Sequence, residues 1–293
     1  MKEKVIEVRN LFHSYMAGTP LAKVSLQDVT LSVCSGEVLA VVGPTGSGKS
    51  TLLQHMNGLY TPQAGTVKVL GNDLSSKQTD LVAVRRSVGL VLQNPGHQLF
   101  EQYVADDVAF GPRMTGLRGK ALAAKVKRAM ELVGLPFDEF KDRPVFSLSG
   151  GERRKAGLAG VLALEPEILL LDEPAAGLDP VAHEELLVQL EKLRDEGKTL
   201  VLSSHSMDDV ARLADRVIVL NRGRVALEGS TREVFAQGDR LEEIGLTGPT
   251  AGTVTLALAR LGWNIRTDVL SIEEATSAIF EALDAFEATG GKR

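Results

Sequence analysis

The chain has 293 residues, of which 33 are basic and 38 acidic, giving a formal net charge of −5 at pH 7. Hydrophobic residues make up 44% of the chain, which is typical of a globular protein and excludes a disordered one. The slight acidity argues against a dedicated nucleic-acid binder, and no apolar run approaches the roughly 18 residues that a membrane helix needs.

Short apolar runs rich in Val, Ile and Leu predict the strands. Several of these runs are apolar at every position, which is typical of strands covered on both faces of a sheet. Helical patterns lie between them, such as the periodic apolar residues of 122–133 and 186–193. This alternation indicates a largely parallel α/β sheet. The predicted strands are 5–8, 26–33, 38–42, 66–70, 88–92, 168–171, 199–203 and 217–220.

The strand pattern lapses between about residues 94 and 164, where the spacing of apolar residues is mostly helical. We therefore predict a helical subdomain of about 94–164, inserted within a first domain of residues 1–238. A glycine-rich connection then leads to a second helical stretch, so we predict a C-terminal helical extension of residues 239–293. Ser271 and Glu274 have the spacing of a capping box. The residues predicted to share one face of the following helix are Ile272, Ala275, Ile279, Leu283 and Phe286.

A glycine-rich segment follows directly after the predicted strand 38–42. Residues 43–51 match G-x-x-x-x-G-K-[ST], whose glycines let backbone N–H groups curl around phosphates. Lys49 is expected to reach the β- and γ-phosphates, and the Ser50 hydroxyl to bind Mg²⁺. A chance match has a probability of roughly one or two in a hundred, so the segment predicts nucleotide binding. The predicted ATP-binding residues here are Gly43, Thr45, Gly46, Ser47, Gly48, Lys49, Ser50 and Thr51.

The apolar run 168–171 ends in two carboxylates, Asp172 and Glu173. Carboxylates at the C-terminal edge of a parallel sheet face the ligand crevice. Asp172 is placed to hold the Mg²⁺ shell, and Glu173 is placed to polarise a water for attack on the γ-phosphate. Solvated acids at a strand end are the alternative, which the neighbouring phosphate loop disfavours.

Ser149, Gly150 and Gly151 open the helical run 152–164 and would expose helix N–H groups to an anion. An ordinary serine-capped helix start is the alternative at this point. With this segment in place, the chain resembles the ATP-binding cassette (ABC) ATPases over roughly residues 5–235. The family's motifs occur here in the family's order, which is the phosphate loop, Gln93, the signature at 148–152, Asp172 and Glu173, the D-loop at 176–180 and His205.

This resemblance implies an α/β fold. It consists of an ABC-type P-loop ATPase with a RecA-like parallel sheet core, an antiparallel β subdomain, an inserted helical signature subdomain and the small C-terminal helical extension. The resemblance also implies that two cassettes close head to tail, with each ATP between the phosphate loop of one subunit and the signature of the other. Ser149, Gly150 and Gly151 would then bind the partner's ATP, and the chain would have to dimerise to work.

Roles for single residues follow from the same resemblance. Gln93 resembles the glutamine that binds Mg²⁺ and senses the γ-phosphate, and His205 resembles the histidine that clamps the γ-phosphate and the attacking water. Together with Glu173 these are the predicted catalytic residues. Tyr15 sits where the family places an aromatic ring against adenine, and a half-buried structural tyrosine is the alternative. The predicted ligands of Mg²⁺ are Ser50, Gln93 and Asp172.

The interval between Ser50 and Ser149 lacks the long coiled coil of the DNA-repair and chromosome members, and translation factors of the family usually carry two cassettes. A narrower resemblance, carried by residues 93–100 and 107–112, is to the ATPases of energy-coupling factor (ECF) transporters, which take up vitamins or cobalt and nickel ions. The segments that resemble the second of the two ECF ATPase types are 14–15, 18–20 and Thr45.

We therefore predict the ATP-binding subunit of an ECF-type importer, which hydrolyses MgATP at a shared dimer interface to drive uptake of a vitamin or a transition-metal ion. The expected partners are a second ABC ATPase subunit, a transmembrane coupling subunit and a substrate-binding membrane subunit, with no nucleic acid. The Thr45-type loop favours a heterodimer of ATPases, and a homodimer is the alternative. With no apolar leader or span, the chain is expected at the cytoplasmic face of the cell membrane as a peripheral protein. The competing interpretations are the ATPase of a conventional ABC transporter and a soluble ABC ATPase acting on DNA or translation.

The expected membrane contact lies directly after Gln93. Residues 98–108 are predicted to form a short helix with an apolar stripe and a rim of negative charge, which suits docking of a partner helix. The alternative is that Leu99 and Phe100 pack inside the subdomain. The residues predicted to form the stripe and the rim are Leu99, Phe100, Tyr103, Glu101, Asp106 and Asp107.

Overall fold

Two β-sheets form the frame of the computed structural model, which describes residues 3–93 and 98–288. Residues 94–97, part of the ECF-like segment 93–100, lie outside the described residues. The strands are β1 (Lys4–Tyr15), β2 (Lys23–Cys34), β3 (Val38–Val42), β4 (Ala64–Val69), β5 (Asn72–Asp73), β6 (Val88–Val91), β7 (Ile168–Asp172), β8 (Thr199–Ser203), β9 (Arg216–Asn221) and β10 (Arg224–Ser230). The helices are α1 (Lys49–Met56), α2 (Leu81–Ser87), α3 (Val104–Met114), α4 (Gly119–Leu132), α5 (Phe137–Phe140), α6 (Gly150–Leu162), α7 (Pro180–Asp195), α8 (Met207–Leu213), α9 (Thr231–Phe235), α10 (Gly238–Ile244), α11 (Thr250–Arg260) and α12 (Ile272–Ala288).

The larger sheet has the strand order β10-β9-β3-β8-β7-β6. β3 pairs in parallel with β8 and β9, β7 pairs in parallel with β6 and β8, and β10 runs antiparallel to β9. β3, β7 and β8 are buried at every position, as their short runs rich in apolar residues predicted. β10 was not predicted, because this edge strand carries the exposed charges of Arg224 and Glu228 and lacks an apolar run.

The smaller sheet is antiparallel, has the order β2-β1-β4-β5 and packs on one face of the larger sheet. The core between the sheets contains Leu39 and Val41 of β3 together with helix α1. Alternate residues of a strand point to opposite faces, so Val38, Ala40 and Val42 belong to a second core, formed with helices on the other side. The predicted parallel core and antiparallel β subdomain are confirmed.

Between β6 and β7 the described chain runs through the helices α3 to α6, with a short 3₁₀ turn at Val145–Ser147. Val108, Val126, Met130 and Leu158 are among the residues in the core of this region. This is the helical insertion that the sequence predicts. Its bounds of 94–164, like those of the units 1–238 and 239–293, stay a prediction.

The helix predicted over 98–108 is wrong in its first half, because α3 begins at Val104. Asp107 explains the difference. Its carboxylate accepts hydrogen bonds from the backbone N–H groups of Phe100 (2.8 Å) and Glu101 (2.9 Å), which folds these residues into a loop over the start of α3. Asp107 is therefore buried, only 8% exposed, and adds no charge to the predicted acidic rim.

The helix predicted in the C-terminal extension forms as α12, but the face that carries its predicted apolar residues is mostly not buried. Of these predicted residues only Ala275 is buried, and Ile272 is 72% exposed. α12 packs through alanines instead, against α11 and the segment before α12. These two run very close together, since a Cβ on Gly252 of α11 would lie 3.1 Å from the carbonyl oxygen of Val269. Small side chains permit this approach and large ones would obstruct it. The buried residues of this small core are Ala251, Val269, Ala275 and Ala278.

Polar contacts attach the extension to the rest of the chain. Arg232 of α9 pairs with Glu274 at 2.7 Å, and Thr250 donates to the Asp208 carboxylate from its N–H (2.8 Å) and its hydroxyl (2.7 Å). The predicted capping box is half formed, since Ser271 Oγ accepts from the Glu274 N–H at 3.2 Å while the Glu274 carboxylate is bound by Arg232. Neither α12 nor any other described helix is long and apolar enough to cross a bilayer.

Candidate nucleotide-binding site

The phosphate loop predicted at 43–51 connects β3 to α1, as its motif requires. The backbone φ is +152° at Gly43 and +109° at Gly48, values that side chains disfavour. A Cβ on Gly43 would lie 2.1 Å from the carbonyl oxygen of Leu220, and one on Gly48 would lie 2.6 Å from that of Ser25. The loop is therefore pressed against β9 and β2, and its curved backbone at the start of α1 suits an anion.

Lys49 is the first residue of α1, and its ammonium group folds back into the loop. Nζ donates to the carbonyl oxygens of Gly43 (2.9 Å) and Pro44 (3.3 Å), and the residue is 5% exposed. Burial lowers the pKa of Lys49, and the negative charges of Glu173 and Asp172 oppose that shift. Both carbonyl partners are neutral, so the positive charge remains available to a phosphate group.

One hydroxyl fixes both predicted acids at the end of β7. Ser203 Oγ donates to Asp172 Oδ1 (2.6 Å) and accepts from the Glu173 N–H (2.9 Å). The φ of Glu173 is +49°, a left-handed conformation that costs a non-glycine residue on the order of 1–3 kcal/mol. The surrounding contacts hold this turn, which brings the Glu173 carboxylate into the cleft over the phosphate loop.

The structure gathers the three predicted catalytic residues into one cluster. Gln93 Nε2 donates to Glu173 Oε2 at 2.7 Å, and His205 Nε2 lies 2.8 Å from Glu173 Oε1. Lys49 Nζ is 3.5 Å from the same His205 nitrogen. A single nitrogen cannot donate to Glu173 and accept from Lys49 at once, so we assign the proton to Nε2 on the shorter contact.

These groups line an open cleft with a volume of about 330 Å³, a size in the range of small-molecule sites. Three further predicted residues, Gly43, Ser47 and Asp172, are buried around the cleft and do not line it. The predicted residues that do line it are Tyr15, Thr45, Gly46, Gly48, Lys49, Ser50, Thr51, Gln93, Glu173 and His205.

The predicted signature residues 149–151 lie at the start of α6 and do not line this cleft. Ser149 Oγ accepts from the Glu152 N–H (3.2 Å), and the Glu152 carboxylate accepts from the Ser149 N–H (2.7 Å), a bond that lowers the pKa of Glu152. A Cβ on Gly150 would meet no atom within 4 Å, so this helix start faces open space. The geometry leaves these residues accessible to a partner, and their role stays a prediction.

Tyr15 stands at the side of the cleft within a cluster of rings that sequence reasoning missed. Its hydroxyl shares a hydrogen bond with Thr51 Oγ1 (2.9 Å), and its ring meets that of His13 edge-on, with centroids 4.8 Å apart. His13 in turn contacts His55 (4.8 Å) and stacks on Tyr60 (5.0 Å). The sequence positions of these residues could have indicated the cluster, because alternate residues of a strand lie on the same side and helix residues four apart are neighbours. His13 thus lies beside Tyr15, and His55 beside Thr51.

The two histidines of this ring cluster are held neutral. Burial lowers the pKa of His13, and burial lowers that of His55 to about 4. His55 Nδ1 lies 2.7 Å from the Thr51 carbonyl oxygen, so Nδ1 carries the proton. Among the described residues, His55 Nε2 and both ring nitrogens of His13 have no hydrogen-bond partner. A proton added here would be a poorly solvated charge.

The ABC transporter family model matches residues 26–176 of the chain. The energy-coupling factor transporter ATP-binding protein EcfA2 of Clostridium perfringens is 43% identical over 279 residues, which cover 95% of this chain and 98% of that protein. EcfA2 of Symbiobacterium thermophilum is 51% identical over 267 residues, covering 91% of this chain and 92% of the relative.

Solved structures give the same fold. The structure of cbiO1 from Clostridium perfringens, part of the ABC transporter complex cbiONQ, superposes with a TM-score of 0.72 at 33% identity and covers 89% of this chain and 98% of its own. The ATP-binding cassette MJ0796, as a dimer in a post-hydrolysis state with ADP and Pi, gives a TM-score of 0.71 at 26% identity, covering 77% of this chain and 98% of its own.

Acid is expected to destabilise the fold through His55. An unfolded histidine binds a proton below about pH 6.5, whereas His55 in the folded chain resists protonation to about pH 4. The contribution of His55 to the free energy of unfolding is therefore complete above pH 6.5 and is lost as the pH falls towards 4. From pH 7 to pH 5 the loss is about 2 kcal/mol. Urea unfolding at both pH values measures it, and His55→Gln, which keeps a donor for Thr51, should reduce the difference by that amount. Equal pH dependence in the two proteins would contradict this assignment.

Proposed function

The chain belongs to the ABC transporter family, and we propose that it is the ATP-hydrolysing subunit of an ECF-type importer for a vitamin or a transition-metal ion. The observation that carries the proposal is the cluster of Gln93, Glu173 and His205 over a phosphate loop that holds a buried lysine. The relatives named as energy-coupling factor ATP-binding proteins support the same class along almost the whole chain.

The cleft has the donors that ATP with Mg²⁺ requires. The loop backbone and the Lys49 ammonium suit the phosphates, and the ring of Tyr15 offers an apolar surface for adenine. Ser50 and Gln93, which line the cleft, would supply oxygen ligands of the kind that Mg²⁺ prefers, and the carboxylate of Asp172, buried beside the cleft, would hold the shell around the ion. In the described parts of the chain, His, Cys, Asp and Glu form no group of three or more that could hold a metal, so the ion would be bound jointly with the phosphates. When bound, Mg²⁺ neutralises charge on the β- and γ-phosphates.

Glu173 is the proposed general base. It would accept a proton from the water that attacks the γ-phosphate, while Gln93 and His205 each donate to one of its oxygen atoms and hold its orientation. Lys49 would balance the charge that grows on the transferred phosphate. The hydrogen bonds at Ser203 fix this turn before the substrate arrives, so little reorganisation is needed during the reaction.

The proposed site is completed by a second ATPase subunit. Residues 149–151 lie outside the cleft of their own chain and open a helix whose start is exposed, which supports their contact with the ATP of a partner. The paired arrangement proposed is head to tail. Thr45 lines the cleft, and its resemblance to one of the two ECF ATPase types favours a heterodimer with a subunit of the other type.

The proposed contact with the transmembrane partner is the surface formed by Phe100 and the outer side of α3. Leu99 packs against the core, but Phe100 is 64% exposed and meets the Phe110 ring edge-on at 4.7 Å. Asp106 on the same helix pairs with Arg113 at 2.9 Å, giving a charged rim of both signs. Exposed aromatic side chains in contact with one another are typical of an interaction surface. This one follows the sensing glutamine closely in the chain.

Glu173→Gln tests the proposed chemistry in the assembled transporter. The amide cannot accept a proton from water, so ATP turnover should fall at least about a hundredfold while ATP affinity stays within about twofold. Glu243→Gln, the same change on the exposed side of α10, is the control and should turn over like the wild type. Lys49→Ala should instead weaken ATP binding. Near-normal turnover of Glu173→Gln would remove this residue from the proposed role.

Phe100→Asp tests the proposed membrane contact. A charge in place of an apolar anchor should lower the yield of the complex with the transmembrane partner at least about tenfold and abolish uptake, with ATP binding by the subunit unchanged. Val82→Asp, a similar change at an exposed aliphatic residue of α2, is the matched control. Equal yields of complex with the two variants, measured by co-purification, would mean that the contact lies elsewhere.

A further inference from the structure

Arg154 lies in the first turns of α6, just after the signature residues. Its side chain points towards the segments that follow β6 and β7. Its Nη1 donates to the carbonyl oxygen of Ala176 at 2.6 Å, and its Nη2 donates to the carbonyl oxygen of Gln93 at 2.8 Å. The planar fork of arginine allows two such bonds in fixed geometry. A single side chain therefore joins the signature helix to the segments after β6 and after β7.

These bonds close a ring. Arg154 donates to the Gln93 carbonyl, and the Gln93 side chain donates to the Glu173 carboxylate. The Glu173 carbonyl accepts from the Ala176 N–H at 3.2 Å, and the Ala176 carbonyl accepts from Arg154. Four hydrogen bonds thus link four residues in a closed circuit. The contact between Gln93 and the proposed base Glu173 is one of these bonds, and Arg154 makes two of the others.

The positive charge of Arg154 is bound by neutral carbonyl groups. The side chain is half-buried, and burial lowers its pKa. Within residues 3–93 and 98–288 no carboxylate forms an ion pair with it, so its described partners are the two carbonyl oxygens. Arg153, its neighbour on the same helix, bonds to the carbonyl oxygens of Leu148 and Phe146 and stays within the signature segment. Because partly burying a charge without an opposite charge beside it costs free energy, this arrangement favours a functional role for the link over a purely stabilising one.

We propose that Arg154 is a positioning residue for ATP hydrolysis, which sets the Gln93–Glu173 contact and makes it depend on the position of the signature helix. It touches neither the phosphate loop nor the ring of Tyr15, so its effect is on turnover and not on nucleotide affinity. The proposal rests on the proposed function, because it assigns Arg154 a part in that same reaction.

The test uses the assembled transporter and measures kcat and KM for ATP. Arg154→Gln should lower kcat about tenfold with KM changed less than about twofold. Arg154→Lys keeps the charge but can reach one carbonyl well, so it should lower kcat by only about threefold. Arg128→Gln removes a charge from the exposed side of α4 and serves as the control, with kinetics like the wild type. Thermal melting of each purified subunit checks folding.

A combination with Gln93→Ala separates positioning from a merely structural role. In that background Arg154→Gln should cost less than about twofold in kcat, because the contact through which it acts is already gone. A full tenfold loss there, or a KM that rises in step with the fall in kcat, would overturn the proposal. If Arg154→Gln does not fold, Arg154→Lys decides the matter by the same criterion of lower kcat at constant KM.

The outcomes also separate this proposal from the proposed function. A wild-type complex that binds but never hydrolyses ATP would defeat the proposed function itself. A complex that hydrolyses ATP normally, in which Arg154→Gln behaves like Arg128→Gln, would defeat only the role of Arg154.

Discussion

The parallel alignment of β3, β8, β7 and β6 is the constraint on which the site depends. Because these buried strands run in register, their carboxyl ends meet at one edge, where Asp172 is opposite Ser203. The Ser203 hydroxyl then holds Asp172 and the strained turn at Glu173, and the Lys49 ammonium lies in the adjacent loop. The buried apolar strands supply the stability that a buried acid and a left-handed glutamate require.

Sequence patterns predicted this edge well, since short runs rich in apolar residues mark β3 and β8 at their observed bounds and the motif residues follow them closely. The misses arose where contacts distant in the chain override local pattern. The carboxylate of Asp107 folds Phe100 and Glu101 into a loop, so α3 starts late. Ala251 of α11 and Val269 pack on the alanine face of α12, although the larger apolar residues of α12 lie elsewhere. Helical periodicity cannot reveal which face a neighbour covers.

The same edge connects three kinds of contact. Gln93 contacts the proposed base Glu173 through its side chain and Arg154 of the signature helix through its carbonyl, and the exposed Phe100 follows it in the sequence. A nucleotide in the cleft, a partner cassette at 149–151 and a membrane partner at Phe100 would therefore act on one small set of hydrogen bonds. Those bonds join the segments after β6 and β7 to the helical insertion.

We propose that the site of one chain is incomplete until a second cassette supplies its signature. The most direct measurement is ATP turnover per subunit, followed across protein concentrations that pass from monomer to dimer and again after a sister ATPase is added. A shared site predicts negligible turnover for the monomer and a steep rise as cassettes pair. Turnover per subunit that is constant from a strictly monomeric preparation to the paired state would contradict it.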